Sequence, residues 1–383
     1  MPLPPQTPGV YIPEINSPVK TIVGVSTATP VLIGTFPSGL PFTPKKVRSH
    51  QEGDRIFGGL QTNHLSSLVM KQFFENGGKE IWIVSIGRTT RGQPKLLLKG
   101  LLQLSHIPSF TILLIPETTH LSDREAAKVF QTAIPIIEQQ RAVYLIDPPQ
   151  QDAIRQSVKS LALWYKSQPF IRHPNLILYH PRIHIPSMAS AALPITIPPS
   201  GTLAGLFARL DETRGVWKAP AGMEATLMGV MGLEQLLTSQ DVTLLESGNI
   251  NALKQTSPTT FVAWGSRTLS PDPEWRYVPV RRTALFLESS IKQGLTWTVF
   301  EPNDEPLWKQ IRQSVGDFLT SLFRQGAFQG TKPQDAFFVK CGRDTITAND
   351  QAAGRLHILV GFAPLKPAEF VTLRISQKVS PRP

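Results

Sequence analysis

Residues able to do chemistry are present in this 383-residue chain, but their spacing assembles no reactive centre. Gly24-Val25-Ser26 begins like the sharp turn that presents a nucleophilic serine, yet Thr27-Ala28 follow and the closing glycine is missing. Gly77-Gly78-Lys79 lacks the spaced first glycine and the Ser/Thr of a phosphate-cradling loop, because Glu80 comes next. No Gly-x-Gly-x-x-Gly run occurs, so no dinucleotide site is indicated. His180 and His184 stand four apart, as metal ligands on one helical turn do, but Pro181 and Pro186 forbid that helix, and loop histidines are expected. Asp211, Glu212 and Arg214 read as a charged group at a helix C-terminus that bonds nearby backbone, not as an acid–base cluster. His120 and Asp123 would need a distant serine that their spacing does not supply. Cys341, the only cysteine, permits neither an intrachain disulfide nor a thiolate metal cluster and reads as a small buried hydrophobe. No catalytic residue, cofactor or metal is expected, and the chain is not expected to be an enzyme.

Composition narrows the remaining classes. With 41% hydrophobic residues the chain can bury a sizeable core. Its net charge of +11 arises from 39 Lys and Arg against 28 Asp and Glu, but only 17% of residues are charged and no basic run exceeds a pair. That diffuse excess fits an acidic protein partner better than nucleic acid. No apolar stretch approaches the roughly 20 residues that span a bilayer, so direct membrane insertion is not expected. The proline-rich start does not read as a secretory signal, and assembly in a reducing cytoplasm is expected.

The elements follow from hydrophobic period. Short apolar runs at 22–25, 31–34, 81–86, 110–116, 142–146 and 176–179 read as strands. Stretches of helical period separate the later ones, and a helix is expected over 63–76, closed by Gly77-Gly78. Ser122-x-x-Glu125 forms a capping box for a helix whose buried stripe is Ala126, Val129, Phe130, Ala133 and Ile137. Such alternation predicts an α/β fold, a mostly parallel sheet core flanked by helices. Residues 35–59 and 219–258 read as loop-rich. Helices are expected near 203–210 and 280–293, and strands over 261–265, 297–300, 336–341 and 356–362. Asn303-Asp304-Glu305-Pro306 supplies a cap and first-turn proline for a long helix with Leu307, Ile311, Val315, Phe318, Leu319 and Leu322 on its apolar face.

Both ends differ from this body. Thirty-five prolines are present, many at the termini, so extended N- and C-terminal strand arms are expected, at 1–20 and 366–383, around a core of 21–365. Val371-Thr372-Leu373-Arg374-Ile375-Ser376 alternates apolar and polar residues strictly. One face of that strand needs a sheet edge, its own or a neighbour's.

Several runs, in order along nearly the whole chain, carry a family resemblance. They are Thr7-Pro8-Gly9-Val10-Tyr11-Ile12, Arg214-Gly215-Val216-Trp217-Lys218, the stretch from Arg281-Arg282-Thr283 to Pro306-Leu307-Trp308, and the closing Glu369-Phe370-Val371-Thr372-Leu373-Arg374-Ile375. This text resembles the sheath proteins of contractile phage tails and related injection systems. The resemblance implies a structural subunit that polymerises as stacked rings in a helix around an inner tube and contracts to drive the tube through an envelope. It implies self-association, the inner tube protein, and baseplate and tail-terminator proteins as partners, in a phage tail or phage tail-like particle assembled in the cytoplasm. Strand exchange between subunits would use Val10, Tyr11, Ile12, Phe370, Val371, Leu373 and Ile375. Lys309, Arg312 and Arg324 would face the tube, and Arg214, Gly215, Trp217 and Lys218 would form a structural motif with Trp217 anchoring its loop. Many relatives insert a large outer domain where this chain has only 88–108, and 51–59 and 181–199 match poorly. The alternatives are a non-contracting paralogue acting as baseplate adaptor or cap, and an α/β hydrolase-like enzyme.

Overall fold

The computed structural model describes residues 20–89, 93–149, 157–187, 193–365 and 371–380. The first part of the chain builds β1 (Pro30–Gly34), β2 (Lys45–Val47), α1 (His50–Phe57), α2 (Leu65–Glu75), β3 (Ile81–Ser85), α3 (Pro94–Leu102), β4 (Ile112–Leu114), α4 (Asp123–Gln140), β5 (Val143–Ile146), α5 (Val158–Ser167) and β6 (Leu176–His180). A small antiparallel sheet follows from β7 (Ile183–Ile185), β8 (Ile195–Ile197) and, after α6 (Ser200–Arg214), β9 (Gly232–Leu233). Next come α7 (Ser239–Ser247), β10 (Asn251–Ser257), β11 (Thr260–Ala263), α8 (Val278–Gly294) and α9 (Glu305–Arg324). The chain closes with α10 (Pro333–Ala336), β12 (Phe337–Lys340), α11 (Ala348–Ala352), β13 (Arg355–Phe362) and β14 (Val371–Lys378).

Eight strands form the main sheet in the order β11-β10-β6-β5-β4-β1-β3-β2. Every pair from β10 to β3 is parallel, and the edge strands β11 and β2 are antiparallel. The period of two along the strands sorts the core. Leu32, Ile83, Leu114, Leu145 and Ile177 join one cluster with Phe73 of α2 and Phe207 of α6. Their neighbours Val31, Val84, Leu113, Tyr144 and Leu178 join a second with Leu101, Phe130 and Leu161 of α3, α4 and α5. Continuous apolar runs were required because both sheet faces are covered. The α2–α6 contact is close enough that a Cβ on Gly205 would lie 2.3 Å from the Phe73 carbonyl oxygen, so that crossing needs a residue without a side chain.

A third cluster belongs to the C-terminal part, where α8 and α9 pack on the antiparallel sheet β12-β13-β14. All six expected apolar residues of α9 are buried there, and Asp304 caps the helix by accepting from the Leu307 amide at 3.1 Å. The Ser122–Glu125 capping box of α4 is also formed.

Four expectations need correction. Residues 22–25 form no strand: Ile22 is buried against Gly294, and the Val25 amide donates to Ser290 Oγ at 3.1 Å, so α8 takes the place of a sheet partner. The expected strand 297–300 lies instead in a 3-10 turn, 296–300, whose Trp297 packs on the third cluster. The loop-rich stretch 35–59 holds β2 and α1, the latter capped by Ser49. The second one, 219–258, holds α7 and β10, and the capping box of Thr238 and Asp241 was the legible signal for α7.

Candidate assembly surfaces

Alternation in the last strand meets its partner inside the chain. β14 pairs along its length with β13, with Phe362 opposite Val371, Val360 opposite Leu373 and Ile358 opposite Ile375. Val371, Leu373 and Ile375 are buried in the third cluster, while Thr372, Arg374 and Ser376 face outward. The strand is therefore docked, not projecting, within one chain. Val10, Tyr11, Ile12 and Phe370 lie outside the described residues. β12 and β14 are the two edges of this sheet, so each has a row of backbone groups turned away from β13.

Both ends of the described chain meet at one turn. Lys20 Nζ sits 3.9 Å from the Trp297 ring centroid and 3.8 Å from Glu301 Oε1. Ser380 makes a parallel bridge with Pro302, and its hydroxyl donates to the Val299 carbonyl at 3.3 Å. Phe300, at 87% exposure, lies between these attachments in sequence.

On α9, Lys309 and Arg324 lie on the solvent face. Arg312 does not stand free beside them: it bonds Glu305 Oε1 at 2.9 Å and donates to the Cys341 carbonyl. Cys341 is buried, as expected, and burial pushes its thiol up to about 12.

In the 214–218 motif, Glu224 bridges Arg214 at 2.9 Å and Lys218 at 3.2 Å. Gly215 ends α6 at φ +85°, and a Cβ there would lie 2.3 Å from the Trp217 ring. Trp217 is half-buried against the third cluster and lines a cavity of about 200 Å³ with Val280, Phe362 and Pro364. The imagined cluster of Asp211, Glu212 and Arg214 diverges. Asp211 forms a buried bidentate pair with Arg282, at 2.8 and 2.6 Å, while Glu212 pairs with Lys79 and Arg214 with Glu224. Arg282 also donates to the Thr27 carbonyl at 2.9 Å, tying α8, α6 and the N-terminal segment together. The histidines part too: His180 ends β6, with burial holding its pKa below the ordinary value, and His184 in β7 contacts Thr196 at 2.9 Å.

Two constellations escaped sequence reasoning because sequentially distant elements build them. At the C-terminal ends of β1 and β4, where open α/β sheets usually take ligands, the buried Glu117 occupies the crevice. Its Oε1 accepts from the Thr35 amide, Thr35 Oγ1 and Ser66 Oγ, each at 2.8 Å. Burial raises Glu117 against these bonds, and burial pushes Asp147, beyond β5, up to about 7. On the C-terminal sheet, His357 Nδ1 lies 2.9 Å from Ser376 Oγ and its Nε2 3.5 Å from Asp350 Oδ1. The order mimics a nucleophile–base–acid triad. However, His357 and Ser376 are a cross-strand pair on an open face, and Asp350 already accepts from Thr347 and Arg355. That geometry holds the register of β14.

Among the described residues no group of three or more His, Cys, Asp or Glu could hold a metal ion, and no helix is long and apolar enough to cross a membrane. Residues 270–378 match the family model of the phage tail sheath C-terminal domain. The tail sheath protein of Escherichia phage P2 is 27% identical over 178 residues, covering 44% of this chain and 42% of that protein. The chain thus aligns with less than half the length of the curated relatives it matches. Among solved structures, the anti-feeding prophage helical sheath in its contracted state superposes with TM-score 0.76 and 28% identity, covering 98% of this chain and 100% of that one. The contracted sheath complex of an extracellular contractile injection system, PVC, gives 0.75 and 28%, covering 98% of each chain. The C-terminal model thus falls on α8, α9 and β12–β14, and the fold over nearly the whole chain is similar to that of solved contractile sheath subunits.

Proposed function

We propose that this chain is the structural subunit of a contractile sheath, polymerising helically around an inner tube and contracting to drive that tube through a target envelope. The observation that carries this reading is the likeness to contracted sheath subunits over 98% of the chain. Partners would be further copies of itself, the inner tube protein, and baseplate and terminator proteins, within a phage tail or tail-like particle assembled in the cytoplasm. The protein's role would be mechanical, not enzymatic.

Copies are held together by strand addition from the two ends, 1–20 and 366–383. Backbone hydrogen bonds supply affinity, and exchange would move β14 from its own β13 to the β13 of a neighbour, where the alternation of Val371, Leu373 and Ile375 would again set the register. The open edges of β12 and β14 support this, as does the meeting of Lys20 and Ser380 at the 296–302 turn. Because an arm and an acceptor edge are different surfaces, the contact is heterologous and propagates as rings or open helices. Lys309 and Arg324 remain available for an acidic tube surface, with Arg312 engaged inside the chain. Contraction would release a metastable lattice into a more tightly bonded one, without nucleotide.

Negative-stain microscopy of the protein expressed alone tests the class. Striated hollow tubes are expected, and monodisperse globules at assembly concentrations would overturn it. A requirement for ATP in the contraction of purified extended particles would overturn the proposed mechanism.

A further inference from the structure

The sheet β12-β13-β14 has one apolar face and one that breaks a local rule. Its buried face carries Leu356, Ile358, Val360, Val371, Leu373 and Ile375. On the outer face, Arg355 stands directly opposite Lys378, a like-charged cross-strand pair that weakens a sheet. Two rows along, Lys340, Leu359 and Arg374 share one cross-strand row, placing two cations roughly 10 Å apart across three strands. Lys340, Arg355, Arg374 and Lys378 are all exposed. Among the described residues, the carboxylate that reaches this face is Asp350, 3.0 Å from Arg355 and 3.5 Å from His357. Among the described residues no carboxylate lies within ion-pair distance of Lys340, Arg374 or Lys378.

Cations set against one another where alternation would admit any polar residue mark a surface that gains its stability from something else. We propose that this outer face docks an acidic segment of a partner protein, held by Lys340, Arg374 and Lys378. The alternative anion, a nucleic acid, fits less well. The cations are spread over one sheet face, and its aromatic side chains among the described residues, Phe338 and His357, are both half-buried, the first with Lys340 5.7 Å from its ring centroid and the second held between Ser376 and Asp350, leaving no stacking platform for bases. The docked segment neutralises the Arg355–Lys378 opposition, so binding and β14 pairing reinforce each other. Lys340 lies on β12 and Arg374 and Lys378 on β14, so the face is complete wherever β14 pairs with β13, in its own chain or a neighbour's.

The test is fluorescence anisotropy of labelled poly-L-glutamate titrated with the full chain at low salt. Lys340→Ala/Arg374→Ala/Lys378→Ala is compared with a control of equal charge, Lys45→Ala/Lys95→Ala/Lys159→Ala, at exposed positions elsewhere. About tenfold weaker binding is expected for the face variant and less than about twofold for the control. Equal loss in both would assign the binding to diffuse net charge and overturn the proposal. So would single-stranded DNA displacing poly-L-glutamate through the same three residues at lower concentration. Lys378→Glu separates binding from folding: opposite Arg355 it should raise the urea midpoint while weakening binding, and unchanged binding in that stabilised variant would also overturn the proposal.

Discussion

Arg282 joins α8 to α6 and to the Thr27 carbonyl through one buried guanidinium. Its side chain is 4% exposed and that of Asp211 6%, and its guanidinium also lies 4.8 Å from the Phe207 ring centroid. Removing one partner leaves a charge buried without compensation, so Arg282→Ala should lower unfolding free energy by about 3–5 kcal/mol in urea denaturation. Gly215→Ala should cost about 1–3 kcal/mol, because φ +85° strains an L residue and its Cβ meets Trp217. Asp147 titrates near 7 in the folded chain against 3.8 for the free group, and Glu117 shifts the same way, both through burial. A carboxyl raised on folding stabilises fully below its unfolded pKa, and that contribution is lost as pH rises through the folded value. Stability from this site therefore falls between about pH 4 and 7. Asp147→Asn should flatten the decline of the urea midpoint between about pH 4 and 7, and an unchanged slope would contradict the assignment.

At the level of elements, β14 and α9 make different demands. Leu373→Ala opens the third cluster and should cost about 2–5 kcal/mol, read from the same denaturation curves. Reversing Lys309 and Arg324 touches only solvent-facing charge and should leave stability within about 0.5 kcal/mol while abolishing tube-bound extended sheath. Normal tube-bound assembly of that double variant would dismiss α9 as the tube contact. Arg312→Glu tests something else, because it breaks the link between α9 and the end of β12 and should destabilise the fold itself.

For the whole molecule, the proposed lattice depends on the terminal arms, and Lys20 and Ser380, the outermost described residues, meet at one turn. Removing 1–19 together with 366–383 should leave a protein that no longer forms tubes, checked by sedimentation and microscopy. That deletion also strips β14 from β13 and uncovers the third cluster, so deleting 1–19 alone is the cleaner arm of the experiment. It spares every described core residue and should likewise abolish polymerisation.

The alternation of β14, the caps of α4 and α9 and the apolar runs of the parallel strands were legible because each is a local pattern with one low-energy outcome. The same locality explains the failures. Residues 22–25 and 297–300 look like strands by composition, but α8 and the third cluster take their side chains instead. By itself, the sequence determined the α/β class, the absence of a recognisable reactive motif and the family resemblance. Only the tertiary structure decided that Asp211 belongs to Arg282, that Arg312 is engaged, that β14 docks on β13 and that Arg355 opposes Lys378. The Asp211–Arg282, Arg312–Cys341 and Arg355–Lys378 pairs join residues 71, 29 and 23 positions apart, and which surfaces meet is set by how whole elements bury their apolar faces, a choice no local pattern encodes.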